Sequence, residues 1–270
     1  MKATLVPRGG FAVQIGRAHQ AGGLPCQDAA RLRRIRRSGF VTAVADGAGS
    51  ARYAADGARV AVKAAVEALE KNPRAVLAQA DHRYVLDHVR ERMAARAAEI
   101  GCDLRQLAST LMAVLAHKSA EGVDWLAFHV GDGVIAADFG TGPEVLSRPE
   151  NGEFGNSTYF VTDASAHDHF RVYRGSAPWS AFALMTDGAA ECLYQRSTRK
   201  LAGAVGTMFD WSRSLDARRF TKALEQNLAS VIAPRTTDDA TLSVVCLGPR
   251  MGTVKDVPPR ASAVHTGVGP

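Results

Sequence analysis

The chain has no run approaching the ~20 apolar residues that a membrane helix needs, and its opening MKATLVPRGG lacks the apolar stretch of a secretory leader. The expectation is a cytoplasmic protein without a membrane partner. Cysteine is scarce. Cys26, Cys102, Cys192 and Cys246 lie far apart, with no C-x-x-C pair and no histidine at zinc-knuckle spacing. That excludes a disulfide frame or metal knuckle and reads as reduced thiols. Aromatic residues are only 7% of the chain, and Trp125, Trp179 and Trp211 are too dispersed for a base-stacking platform. Residues 10–247 contain no internal repeat and no low-complexity block. Charge of one sign is not in large excess either, at +6 over 270 residues.

Part of that charge sits in RLRRIRR (31–37), where five of seven residues are arginine. One reading is a basic surface for nucleic acid or acidic partners. The other is an exposed strand with Leu32 and Ile35 facing inward and the arginines solvated. No aromatics interleave with the arginines, which favours the strand and argues against a nucleic-acid partner.

The hydrophobic fraction, 46%, is ordinary for a globular protein with a full core. No linker divides residues 1–248, so they read as one domain. The remainder, 249–270, is rich in Pro and Gly without an apolar period, and is expected to be a disordered tail. Strands are expected at FAVQI (11–15), ARLRRI (30–35) and FVTAVA (40–45). From Ser50 to Leu69 small apolar residues recur at three- and four-residue spacings, which predicts a helix. Asn72-Pro73 should start a second helix running to about Ile100. Strand patterns return at 109–117, 124–130, 134–139 and, less clearly, STYFVT (157–162). AFALMT (181–186) and TLSVVCL (241–247) follow, with short helices between them at 199–209 and 217–231. Strands, two long helices, strands and helices again give an α+β order. Two packed antiparallel sheets with helices on their outer faces, a four-layer α-β-β-α sandwich, satisfy it most simply.

One junction recurs. Asp46-Gly47 follows FVTAVA, Asp132-Gly133 follows WLAFHVG, Asp187-Gly188 follows AFALMT, and Asp238-Asp239 precedes TLSVVCL. A single Asp-Gly step is a common turn. Carboxylates gathered at one end of a sandwich repel one another, and divalent cations make such a cluster tolerable. Hard ions such as Mg²⁺ and Mn²⁺ take all-oxygen shells, and a glycine lets its own carbonyl approach the ion.

These residues resemble the type 2C, metal-dependent serine/threonine protein phosphatases, in their bacterial branch. VADGAGS (44–50) is similar to the Asp-Gly-His-Gly-Gly signature and CQDA (26–29) to the Asn-Glu-Asp element. ASTLMAVLA resembles the Gly-(Ser/Thr)-Thr strand and VGDG (130–133) Gly-Asp-Ser-Arg. TDG (186–188) and DDAT (238–241) resemble Ser-Asp-Gly and Asp-Asn-x-Thr. The resemblance implies a helix-flanked β-sandwich holding two Mn²⁺ or Mg²⁺ ions that activate a shared water for attack on phosphoserine or phosphothreonine. In it Asp46 bridges both ions, the Gly47 carbonyl binds one, and Asp187 and Asp238 complete the protein ligands. Asp28 acts through water, and Asp132 joins Asp187 at a third, weaker site. Asp239 stands where the family has Asn; a register slip of one would make it the ligand instead. The implied partners are phosphorylated proteins, in opposition to a serine/threonine kinase. The dispersed cysteines match no phosphocysteine route.

Three positions depart from the pattern. Ala48 replaces a His proposed as general acid, Gly23 an Arg that grips phosphate, and Val134 the Arg of Gly-Asp-Ser-Arg. His19 or Arg17, near Asp28 in sequence, is the candidate replacement for the lost acid or phosphate contact. The alternative is a pseudophosphatase that binds metal and phosphorylated partners as a regulator. Among the other histidines, HDH (167–169) reads as a loop, His129 as a core or sheet-face residue, and His82 and His88 as helix surface. Segment 141–180 falls where the family carries a substrate-facing flap.

Overall fold

In the computed structural model, residues 4–151 and 158–251 are described. The first three apolar runs form β1 (Val6–Gln14), β2 (Ala29–Ile35) and β3 (Gly39–Ala45), with a short helix α1 (Arg17–Gly22) between β1 and β2. Helices α2 (Ala54–Glu70), α3 (Pro73–Ala78) and α4 (Arg83–Ile100) come next. Then follow β4 (Leu111–Lys118), β5 (Val123–Val130), β6 (Val134–Asp138), β7 (Glu144–Ser147), β8 (Arg171–Ala177) and β9 (Ser180–Met185). Helix α5 (Asp187–Leu193) and the small ribbon β10 (Tyr194–Gln195) and β11 (Lys200–Leu201) lead into α6 (Gly203–Ser214) and α7 (Ala217–Asn227). The last strand is β12 (Ala240–Gly248).

Two five-stranded antiparallel sheets result, ordered β1-β12-β9-β6-β7 and β2-β3-β4-β5-β8. Phe40, Val44, Met112, Val114, Ile135, Phe182, Leu184 and Val245 fill the space between them. A buried hydroxyl pair, Thr42 Oγ1 and Ser243 Oγ at 2.7 Å, joins the sheets near their middle. The outer face of the second sheet packs on α2 and α4 through Val41, Ala43, Leu115, Phe128, Val62, Val66 and Val89. The first sheet packs in the same way on α5, α6 and α7. This is the expected α-β-β-α order. It also explains why β3, β4 and β12 read as largely apolar runs without in-out alternation: they are covered on both faces.

Several local expectations change. The helix expected from Pro73 to Ile100 is broken, because Gln79 is extended and Asp81 Oδ1 accepts the Arg83 amide at 2.9 Å, starting α4 afresh. His82, expected on a helix surface, is buried in this break, with Nε2 3.0 Å from the Val76 carbonyl and its ring edge-on to Phe128. His88 is half-buried. STYFVT is not a strand: Thr158 forms an isolated bridge with Asn151, a turn follows from Val161, and Ser157 lies outside the described residues. The short helix expected at 199–209 begins at Gly203 and extends to Ser214, and the one at 217–231 loses its regular geometry after Asn227. Leu32 and Ile35 of RLRRIRR do face inward, but into different cores, since residues three apart on a strand point to opposite faces. Of the expected tail, residues 252–270 lie outside the described residues.

Candidate metal centre

The antiparallel registers bring the acid-bearing strand ends together. Val44 pairs with Met112 and Leu111 with Val130, so Asp46 and Asp132 leave the second sheet at one end. Met185 pairs with both Val134 and Leu242, so Asp187 and the Asp238-Asp239 step join them from the first sheet. Their proximity shows in the acidities. Burial holds the Asp46 carboxyl well above the usual range, with the charges of Asp28, Asp187, Asp238 and Asp132 adding to the effect. Asp187 is pushed up to about 6 by burial, then by Asp132 and Asp238; its hydrogen bonds with the Gly188 amide and Asp46 oppose this. Asp28 is fully enclosed and rises to about 8, chiefly through burial, although the hydroxyls of Thr241 and Thr186 favour its ionised form. Without a counter-ion these acids hold their protons to higher pH than free carboxyls do.

The backbone around them is fixed by close approaches. A side chain at Gly47 would come within 2.6 Å of the Ala54 carbonyl, so the first turn of α2 lies directly on it. The Asp46 peptide is clamped by Thr110, whose amide donates to the Asp46 carbonyl at 2.8 Å and whose hydroxyl accepts the Asp46 amide at 3.0 Å. Among the described residues the Gly47 carbonyl accepts no hydrogen bond. A side chain at Gly188 would meet the Asp239 carbonyl at 2.2 Å, which seats α5 against the Asp238-Asp239 step.

The two neighbouring acids of that step do different things. Asp239 is buried, and its oxygens accept the Gly16 amide at 2.6 Å, the Gln27 amide at 2.6 Å and approach His19 Nδ1 at 2.9 Å. These contacts tie α1 and the approach to β2 onto β12. Asp238 is exposed toward the cluster, its Oδ1 accepting only the Asp239 amide at 2.8 Å among the described residues. Of the two acids, Asp239 is occupied by amides and His19, and Asp238 is the one left open.

His19 sits beside this step: one nitrogen of its ring and one oxygen each of Asp238 and Asp239 lie within 4.8 Å of one another. Arg17 is exposed and donates from Nε to the Thr236 carbonyl at 3.2 Å, serving the loop before Asp238. Asp132 Oδ2 accepts the Thr158 hydroxyl at 2.5 Å. Behind it, Arg171 donates to the carbonyl of Gly131 at 2.8 Å and approaches Glu150 at 3.1 Å, bracing the turn against the following segment. HDH is a turn, as expected, with His167 on Asp87 and His169 on Glu150.

Whether cations suit this donor set is tested by the polar atoms the protein leaves unsatisfied. Gln27 Oε1 is buried without a partner, and Asp28 Oδ1, beside the Thr241 hydroxyl, makes no well-formed hydrogen bond. Buried acceptors with no donor are rare in a finished core. Asp28 stands among acids that repel one another, and the Gln27 carbonyl accepts the Gly47 amide at 3.1 Å, which puts Gln27 next to the Asp46-Gly47 step; the arrangement is all-oxygen and suited to hard divalent ions. The residues fit the group. Gln27 and Thr186 were not singled out from sequence. Thr186 donates to Asp28 Oδ2 at 2.9 Å and accepts the Thr241 amide at 2.9 Å.

A family model for protein phosphatase 2C matches residues 15–229. The chain belongs to that family, the protein serine/threonine phosphatases. Serine/threonine-protein phosphatase 3 of Escherichia coli (strain K12) is 29% identical over 189 residues, covering 66% of this chain and 72% of the relative. The PPM Ser-Thr phosphatase MsPP from Mycobacterium smegmatis, solved with cacodylate, shares the fold with TM-score 0.59 at 17% identity, over 90% of this phosphatase and 99% of the other chain. RsbX, solved with magnesium, matches with TM-score 0.55 at 11% identity, over 90% and 96%. At two of the three positions that depart from the family pattern, Ala48 and Val134, the side chain is packed in an apolar core. Ala48 is buried with Ala51, Ala54 and Ala108, and Val134 is in the core. Gly23 ends α1 with φ +65° and has open space on its side-chain side.

Proposed function

We propose that this phosphatase hydrolyses phosphoserine and phosphothreonine in proteins with the help of two divalent cations, Mn²⁺ or Mg²⁺, in opposition to a serine/threonine kinase. The observation carrying this reading is the meeting of Asp46, Asp187, Asp238 and Asp132 beside Asp28, whose Oδ1 is buried without a well-formed partner. Asp46 would bridge the ions, the Gly47 carbonyl would bind one, and Asp187 and Asp238 would complete the protein ligands. Asp28 and Gln27 would act through water, and Asp132 would serve a weaker third position. The chemistry such a pair supplies is activation of a water for in-line attack and neutralisation of charge on the phosphoryl oxygens.

The chain's own contribution is positional. Thr110 and α2 hold the Asp46-Gly47 peptide, and Thr186 holds Asp28 by Oδ2, leaving Oδ1 buried without a well-formed partner. His19 takes the place of the missing acid. Its Nδ1 is held by Asp239, so Nε2 is the nitrogen left to give a proton to the departing serine or threonine oxygen. Arg17, engaged on the Thr236 carbonyl, is the weaker candidate for contact with phosphate. A cytoplasmic setting suits this chemistry, and among the described residues no helix is long and apolar enough to cross a membrane.

The apolar packing of Ala48 favours a second reading, a pseudophosphatase that binds metal and phosphorylated partners without turnover. Turnover of a phosphothreonine peptide with and without Mn²⁺, beside Asp46→Asn at matched folding, separates the two. Mn²⁺-dependent turnover that falls by at least about a hundredfold in the variant is expected. Tight Mn²⁺ binding without turnover establishes the second reading, and absence of Mn²⁺ binding overturns both.

A further inference from the structure

Strands β4, β5 and β8 run the length of the second sheet, and their far ends lie roughly 25 Å from the acids, at about 3.3 Å per residue. At that end the helical layer stops short. Helix α3 has only six residues, and the chain turns away at Gln79. The uncovered strand ends and α3 enclose an open groove of about 1030 Å³. Its walls carry Arg74, Lys118, Arg174 and His117, against one acid, Asp124, whose Oδ1 already accepts the Ser176 hydroxyl at 2.6 Å. Arg74 and Arg174 are exposed. The exposed Arg36 and Arg37, at the tip of the β2–β3 turn, adjoin Ser38, whose carbonyl accepts the Lys118 amide at 2.7 Å. Two arginines of the RLRRIRR run are thus neighbours in sequence of a residue bonded to the strand end that lines the groove, and the metal centre does not use them.

We infer that this groove is a docking site for an acidic segment of a phosphoprotein substrate, remote from the phosphorylated residue itself. The inference rests on the phosphatase reading above. Charge complementarity selects the occupant: Arg74, Lys118 and Arg174 face the single acid Asp124, and Arg174 keeps its charge while donating to the Gln79 carbonyl at 3.3 Å. Nucleic acid fits less well. Trp125, the aromatic residue lining the groove, is buried and stacked on Phe139, with no face free for a base. A docking segment held here would raise the local concentration of the phosphorylated residue at the acids, provided the linker spans the separation.

Two synthetic peptides test this. Both carry the same phosphothreonine core and a flexible spacer of about ten residues, enough to cover roughly 25 Å. One ends in a run of glutamates and the other in serines. The wild-type protein is expected to show a KM about three- to tenfold lower for the acidic peptide, the range that a few exposed ion pairs allow. That advantage should shrink as salt rises. In Arg74→Glu/Arg174→Glu the acidic peptide should lose its advantage and fall to or below the serine peptide, with kcat and the KM for the serine peptide unchanged. Equal KM values in the wild-type protein overturn the docking site while leaving the phosphatase reading intact. Absence of turnover on both peptides in the wild-type protein instead overturns the phosphatase reading. If the variant loses both peptides together, the milder Arg74→Gln/Arg174→Gln pair decides: the same joint loss makes the arginines structural and ends the proposal. Salt-sensitive capture of single-stranded DNA in preference to the acidic peptide would assign the groove to nucleic acid and also overturn it.

Discussion

Thr186→Val keeps the shape of the side chain and removes two hydrogen bonds at once. The Thr186 hydroxyl accepts the Thr241 amide and donates to Asp28 Oδ2, each at 2.9 Å and buried. With valine the Thr241 amide has no acceptor there, which costs about 1–3 kcal/mol. Asp28, pushed up to about 8, is mostly protonated at neutral pH without metal, so its lost partner adds a neutral-group term of about 0.5–1.5 kcal/mol. The sum is about 1.5–4.5 kcal/mol, a large share of the roughly 5–15 kcal/mol that holds a domain together. In EDTA the urea midpoint should fall by about 1 M at an unchanged slope. Thr186→Ser, which keeps the hydroxyl, should recover most of the loss. The valine variant should also need more Mn²⁺ for half-maximal thermal stabilisation at pH 7, because Asp28 loses a donor that favours its ionised form. A midpoint within about 0.3 M of wild type would falsify the account of Thr186 as the tie between Asp28 and β12.

Two further outcomes concern pH. Asp28 and Asp187 have folded acidities raised to about 8 and about 6 without metal, so the folded chain holds protons that the unfolded chain releases near pH 4. Metal-free stability should therefore fall as pH rises from about 4 toward 8, and the melting-temperature gain on adding Mn²⁺ should be larger at pH 8 than at pH 5; an equal gain at both refutes the coupling. His129 works in the opposite direction: it is fully buried, its Nδ1 lies 2.8 Å from the Ser147 hydroxyl and its Nε2 has no partner. Burial, then the charge of Arg171, holds it well below the usual histidine range. Its contribution is present above about pH 6.5 and lost as pH falls below that value, at up to about 1.4 kcal/mol per pH unit. Urea midpoints of wild type and His129→Gln at pH 7.5 and 5.5 should converge on acidification; parallel shifts contradict a neutral His129.

The fold was legible where burial imposes a period. The apolar runs of β3, β4, β9 and β12 mark strands covered on both faces, and the alanine spacing of α2 marks a helix lying close on a sheet. Strand β8 was not legible, because RVYRGSA is an edge strand whose arginines satisfy solvent and loop carbonyls. The two short helices α1 and α5 carry too few turns for a period, and tertiary contacts hold them. Among these are the Ala18 amide on Thr237 and His19 on Asp239. In the candidate site the Asp-Gly junctions could be read locally, because each ends an apolar run. The division of labour between Asp238 and Asp239 could not, since it depends on Gly16 and Gln27, more than two hundred residues away. His82 shows the same limit: a polar residue in a helix break reads as surface until the carbonyl it answers, that of Val76, is known.

The Thr42–Ser243 contact sets a mechanical condition on all of this. Asp46 lies four residues beyond Thr42, about 13 Å along the strand, while Asp187 and Asp238 belong to the opposite sheet. If that hydroxyl pair is the pivot, a relative rotation of the sheets by about 5° carries Asp46 roughly 1 Å with respect to them, several times the ±0.2 Å that ion–ligand distances tolerate. The sandwich is then a pair of tweezers, and the alignment of its two blades is part of the chemistry at their tips.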